Sequence, residues 1–137
     1  MNIVVDTNIV AYYWLPGVHT ENAVALRQRT GDWLVPRLWR PEFRNVLARY
    51  LRAGTIGLDQ ARALIRSAEA ELVDCEREVD STAVMDLVAI SACSAYDCEF
   101  VALARQTGTP LVTEDAGLLR AFPDIAMTMT VTLRRQG

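Results

Sequence analysis

Five short β-rich runs alternate with helix-length segments along this chain, and that alternation leaves few folds open. Parallel strands need crossover connections of about a dozen residues or more, and helices are the usual way of making them. The runs cover residues 2–5, 33–35, 71–74, 110–113 and 126–133. The last alternates Met, Val and Leu with Thr, a strand-like period of two. Helices are expected over 7–15, 20–30, 41–51, 58–68, 79–96, 97–106 and 115–122. Punctuation supports these bounds. Pro16 and Gly17 stop the first helix, Gly31 stops the second, Pro41 suits a first helical turn, and Gly108 suits a left-handed C-cap. Phe43, Val46, Leu47, Tyr50 and Leu51 follow the three-and-four spacing of one buried stripe. The expectation is one α/β domain over residues 1–137, with a mainly parallel five-stranded sheet flanked by helices.

With 137 residues, 51% of them hydrophobic, such a domain can build its core without a disulfide or a structural metal. Cys75, Cys93 and Cys98 show no C-x-x-C spacing, and with a single histidine they cannot form the usual four-ligand zinc sites. An odd, scattered set of cysteines suits a reducing compartment. No apolar run approaches the ~20 residues that span a bilayer, and the first residues lack a signal peptide's basic flank. A soluble, cytoplasmic protein with no membrane contact is therefore expected. The lone histidine, His19, lies in a Pro-Gly-Val-His-Thr stretch that reads as a turn.

All 14 basic residues are arginine. The missing lysine excludes a P-loop phosphate cradle, Schiff-base catalysis and Ser-Lys chemistry together. Carboxylates remain, 17 of them, giving a net charge of -3.

Their placement is informative. Asp6 directly follows an apolar strand, where a carboxylate is costly unless paired or bound to a cation. Asp115 stands in a similar relation to Leu111 and Val112. If both strands are parallel members of one sheet, the two acids share its carboxyl edge, the place where open α/β sheets bind ligands. Glu42, just after Pro41, and Asp97, after a Ser-Ala-Tyr turn, begin helices that would face the same edge. Taken singly, each acid suits a helix N-terminus; four on one layer suit a hard divalent cation such as Mg²⁺ or Mn²⁺. Such a site favours hydrolysis of a phosphodiester, and without the metal its clustered acids should have raised pKa values.

Four segments carry a family resemblance. Val-Val-Asp6-Thr7-Asn8, Trp-Arg-Pro-Glu42-Phe-Arg-Asn45-Val-Leu, Ala-Tyr-Asp97-Cys-Glu-Phe-Val-Ala-Leu-Ala and Leu-Val-Thr113-Glu-Asp115 resemble, in order and spacing, the PIN-domain ribonucleases. The likeness is nearest to the VapC-like toxins of type II toxin–antitoxin pairs and spans nearly the whole chain. It implies a PIN-like three-layer domain in which Asp6, Glu42, Asp97 and Asp115 bind Mg²⁺ or Mn²⁺, supported by Thr7, Asn8 and Thr113. It further implies an RNA substrate that is single-stranded or looped, a homodimer, and a cognate antitoxin docked across the active-site groove. Dimer contacts are expected from the helices between Glu42 and Glu69.

Arg37, Arg40, Arg44, Arg49 and Arg52 crowd around Glu42 and suit either phosphate binding or ordinary surface ion pairs. Tyr12, Tyr13, Trp14 and Leu15 follow the first site acid; packing is the more common use of such residues, base stacking the other. Glu99 and Glu114 flank the matched acids and stand outside the core set. Two other functions compete with this reading. A phosphotransferase with Asp6 as acceptor needs a lysine on the phosphate, and there is none. A non-catalytic PIN-like module binding RNA or protein would be expected to have lost one or more of the four acids, and all are present.

Overall fold

Ile3, Val4 and Val5 are completely shielded from solvent, so the first strand is covered on both faces. That is the setting of a parallel sheet between helical layers, and it explains why the strand is uniformly apolar rather than alternating. The computed structural model describes residues 1–136. Its strands are β1 (Ile3–Val5), β2 (Trp33–Pro36), β3 (Glu76–Arg77), β4 (Leu111–Val112) and β5 (Ala126–Met127). They form one sheet in the order β3-β2-β1-β4-β5, and every pairing is parallel. Ile3 is in register with Trp33, and Val5 with Val112.

Eight helices are described: α1 (Thr7–Trp14), α2 (Thr20–Arg29), α3 (Trp39–Arg52), α4 (Leu58–Leu72), α5 (Ser81–Ala89), α6 (Ala95–Thr107), α7 (Ala116–Ala121) and α8 (Met129–Gln136). Because side chains alternate across a strand, Ile3, Val5, Trp33, Val35 and Val112 join one core with α1 to α4 and Met129 of α8. Val4, Leu34, Leu111 and Ala126 join the opposite core with α5, α6 and α7. The result is the three-layer α/β architecture expected from the sequence. None of the described helices is long and apolar enough to cross a membrane.

Three expectations need correction. The strand expected at 71–74 lies at Glu76–Arg77, because α4 continues to Leu72 and a 3-10 turn covers Val73–Cys75. Buried Ala61, Ala68 and Leu72 extend the helical stripe past the expected stop. The single helix expected over 79–96 is two helices. Ser91 Oγ donates to the Leu87 carbonyl at 2.8 Å near the end of α5, and Ser94 caps α6 by accepting from the Asp97 amide at 3.1 Å. Asp97 therefore lies in the first turn of α6 and does not open it. The strand expected over 126–133 is two residues long and gives way to α8. Thr128 starts that helix: its Oγ1 accepts from the Val131 amide at 3.2 Å and its carbonyl from the Thr132 amide at 3.0 Å. Met129 and Thr132 are buried three residues apart, so a helical period underlay the apparent alternation.

The expected left-handed cap is present, with Gly108 at φ +65°. From β1 the chain builds outward through β2 to β3, then crosses back to β4 on the other side of β1. This reversal puts a topological switch point between β1 and β4, where the carboxyl ends of diverging strands leave a crevice.

Candidate active site

Asp6 is the first residue beyond β1 and the N-cap of α1, accepting from the Ile9 amide at 3.2 Å. Its other carboxylate oxygen accepts a short hydrogen bond from Thr113 Oγ1. Thr113 is fully buried and is the first residue beyond β4, so the neighbouring strand end fixes the orientation of Asp6. The same Thr113 oxygen accepts from the Asp115 amide at 3.0 Å. Asp115 caps α7 through the Leu118 amide at 2.9 Å. From the other side, Thr7 Oγ1 donates to Glu42 Oε1 at 2.6 Å, tying α1 to the first turn of α3. Asp97 is held by the start of α6.

All four acids line one cleft of about 180 Å³. Thr7 and Asn8 line it too, while Thr113 stands behind Asp6 as a supporting donor. Asn45, Val46, Arg49 and Phe100 complete the wall. None of the four belongs to the site read from sequence, Arg49 being only one of five arginines open to phosphate binding, although Glu42, Asn45, Val46 and Arg49 are spaced i, i+3, i+4 and i+7, which places them on one helical face.

No ion pair among the described residues involves Asp6, Glu42, Asp97 or Asp115. Burial is the main reason that Asp6, 6% exposed, has its pKa pushed up to about 6; its hydrogen bonds to Thr113 and Ile9 act in the opposite direction, and the Asp115 charge raises it further. Glu42 is raised by burial, with the Asp97 charge adding to the shift and the Thr7 hydrogen bond opposing it. Asp97 is raised by burial and then by Asp115. The direction is the one expected from the sequence, but burial, and not mutual repulsion of the acids, is its main cause in all three.

Among the described residues no three His, Cys, Asp or Glu side chains are drawn into a ready-made metal ligand set. The four acids line the cleft as separated oxygen donors. Their chemistry fits a hard cation such as Mg²⁺ or Mn²⁺, which takes a few carboxylates and retains several waters.

Residues 3–123 match the PIN domain family. The chain belongs to that family. No protein with a curated description matches it. Among solved structures, it is similar to PAE2754 from Pyrobaculum aerophilum, with a TM-score of 0.76 and 18% identity over 99% of this chain and 89% of that one. It is also similar to FitAcB from Neisseria gonorrhoeae, with a TM-score of 0.74 and 18% identity over 93% of this chain and 98% of that one. VapBC2 from Rickettsia felis, bound to a DNA fragment from its promoter, has a TM-score of 0.57 and 14% identity over 93% and 98% of the two chains. At these identities the likeness is one of fold.

Within this PIN domain four of the five crowded arginines take separate places. Arg40 pairs with Glu76 at 2.6 Å and Glu69 at 3.4 Å, and exposed Arg37 pairs with Glu78 at 3.5 Å. Arg49 lines the cleft. Arg44, two residues after Glu42, lies on the far side of α3 by helical spacing. Of the aromatic run, Tyr13 packs edge-on against Trp14 and Trp33, and Leu15 is buried. Trp39 is buried as well and donates to Glu76 at 2.8 Å. Glu114 accepts from the Met129 amide at 3.0 Å and so serves α8. Glu99 lies outside the cleft, its pKa raised by burial and by the Glu42 charge.

Proposed function

We propose that this PIN domain is a Mg²⁺- or Mn²⁺-dependent endoribonuclease and the toxin of a toxin–antitoxin pair, acting in the cytoplasm as a homodimer. The observation that carries the nuclease reading is the cleft at the switch point: four carboxylates, none of them ion-paired among the described residues, in a family that is generally one of nucleases. The partner reading draws on the two-component names of the similar structures, FitAcB and VapBC2.

Asp6, Glu42, Asp97 and Asp115 would hold the cation. When bound, it would polarise the scissile phosphate and lower the pKa of an attacking water. The chain's own task is to present the oxygens in fixed directions. Thr113 orients Asp6 and Thr7 orients Glu42, so two hydroxyls from separate elements lock two acids. Asp97, in the first turn of α6, and Asp115, the N-cap of α7, are placed by the starts of those two helices. Arg49 would supply positive charge to a substrate phosphate on the same wall, a role that a guanidinium fills by forked hydrogen bonding. The raised pKa values of Asp6, Glu42 and Asp97 mean that protons compete with the cation at acidic pH.

The test is incubation of antitoxin-free protein with a panel of structured and single-stranded RNAs plus Mn²⁺ or Mg²⁺, beside EDTA and Asp97→Asn controls. Metal-dependent cutting that vanishes in the variant is the expected result. If no RNA is cut and calorimetry detects no divalent-ion binding, the domain is a binding module and not a nuclease.

A further inference from the structure

Beside the carboxylate cleft lies a second hollow of about 240 Å³, formed where the end of α1 and the turn after it meet α3. Asn8, Val46 and Arg49 line both, so the two are neighbouring stretches of one groove. Their chemistry differs. The first is walled by four acids, whereas the second has no carboxylate in its lining and presents the rings of Tyr12, His19 and Tyr50.

The rings of Tyr12 and His19 lie 4.4 Å apart between centroids, tilted by 36°. All three aromatic residues are only half-buried, and none donates or accepts a side-chain hydrogen bond among the described residues. At the rim Val18 is 93% exposed, an apolar side chain with nothing packed on it. His19 is the N-cap residue of α2, but its side chain makes no capping hydrogen bond, and its ring lies against Tyr12 instead. An acid-free aromatic hollow joined by an arginine to a phosphodiester-hydrolysing cleft matches the repeating chemistry of a single strand, in which a flat base is followed by an anionic phosphate.

We infer that the hollow formed by Tyr12, His19 and Tyr50 is a nucleobase subsite for single-stranded RNA, taking the base next to the scissile phosphate while Arg49 contacts the phosphate between them. The inference rests on the nuclease reading for its substrate and deepens it. It assigns His19 and Tyr12 a binding role, and it makes the base beside the cut a contributor to specificity through stacking. Because every base has a π-face, the preference it imposes is for an unpaired base over a paired or missing one, more than for a particular letter.

The experiment has two arms. In the first, Asp97→Asn protein with Mg²⁺ is titrated with a short single-stranded RNA carrying 2-aminopurine, whose fluorescence falls when the base stacks. Quenching is expected, retained in the Tyr12→Phe background and largely lost in Tyr12→Leu and in His19→Ala. In the second, cleavage of an RNA cut by the wild type is followed with the adjacent nucleotide intact or abasic. KM is expected to rise about tenfold for Tyr12→Leu, for His19→Ala and for the abasic substrate, with kcat changed far less. His19→Ala, at a half-buried turn position outside the core clusters, guards against misfolding of the Tyr12→Leu variant. If the wild type cuts RNA but neither variants nor abasic substrate differ from it, the subsite is wrong and the nuclease stands; a partner peptide is then the better occupant. If quenching occurs and is lost in Tyr12→Leu and His19→Ala, yet no RNA is cut, the subsite stands and the nuclease reading fails; quenching that both variants retain overturns the subsite. An absence of both overturns the two together.

Discussion

At the β2–β3 edge of the sheet, the Glu76 carboxylate, only 10% exposed, accepts from Arg40 Nε at 2.6 Å, Arg40 Nη2 at 3.0 Å and Trp39 Nε1 at 2.8 Å. The Arg40 hydrogen bond is the main reason its pKa is held below the usual carboxylate range. At the β1–β4 switch point, Asp6 is similarly shielded but meets only a hydroxyl and backbone amides, and its pKa rises to about 6. The first region is complete in itself: charge, counter-charge and hydrogen bonds close within the protein. The second has no positive partner among the described residues. Arg40 and Glu42 are two residues apart on α3, so one helix serves both regions through different faces. A buried acid that stabilises the fold and a buried acid poised for chemistry differ in whether the protein supplies the cation.

Several substitutions would break or sharpen this contrast. The largest effect is expected from Glu42→Gln, which keeps the acceptor for Thr7 but removes a charge from the open cluster. RNA cleavage should fall by at least about a hundredfold, beyond the loss typical of a supporting residue, with an unchanged circular dichroism spectrum. At the closed cluster, Arg40→Ala should leave cleavage per folded molecule nearly intact while lowering stability by roughly 2–3 kcal/mol in urea, because the Glu76 carboxylate loses its charged partner.

The metal-free pH dependence separates the two acids in sign. The folded-state pKa of Asp6 lies above its ordinary value of 3.8, so the folded protein retains a proton that the unfolded chain has released. In EDTA this contribution favours the fold below about pH 4 and is progressively lost as pH rises to about 6. Asp6→Asn should therefore raise stability at pH 7.5 by roughly 1–3 kcal/mol and flatten the decline between those values. Some slope should persist, because Glu42 and Asp97 are shifted in the same direction. Glu76 contributes with the opposite sign, its stabilisation being lost as pH falls. The smallest effect is expected from Arg44→Gln, on the far face of α3, which should leave cleavage within about twofold of wild type by steady-state kinetics, as typical for a surface substitution away from the site. Arg49→Gln in the same assay should raise KM severalfold.

Much of the candidate site's placement was legible along the chain because it depends on local position. An acid immediately after an apolar strand, or in the first turn of a helix, is visible as a spacing, and Asp6, Glu42, Asp97 and Asp115 do line one cleft. The sheet was legible for the same reason, since uniformly apolar runs of a few residues have few other uses. The errors occurred where a local pattern was ambiguous. Thr128 to Leu133 satisfies both a period of two and a helical one, and only packing of Met129 and Thr132 into the core decides between them. Glu71 and Leu72 belong to α4 because Leu72 reaches the core from a helix.

Long-range packing settled the roles of the charges. Nothing in the spacing of Arg37, Arg40, Arg44, Arg49 and Arg52 states that Arg40 will meet Glu76, 36 residues away, while Arg49 remains on the cleft wall. That assignment follows from the rotation of α3, fixed when Phe43, Val46 and Leu47 enter the core, and from the crossing of α4 that brings β3 alongside β2. The sharing of a wall between the acidic cleft and the aromatic hollow has the same origin, because Tyr12 and Tyr50 are far apart in sequence and meet only where α1 lies against α3. Strand-end acids are placed by the backbone that carries them. Whether such an acid is paired or left open depends on which distant helix face the core turns toward it.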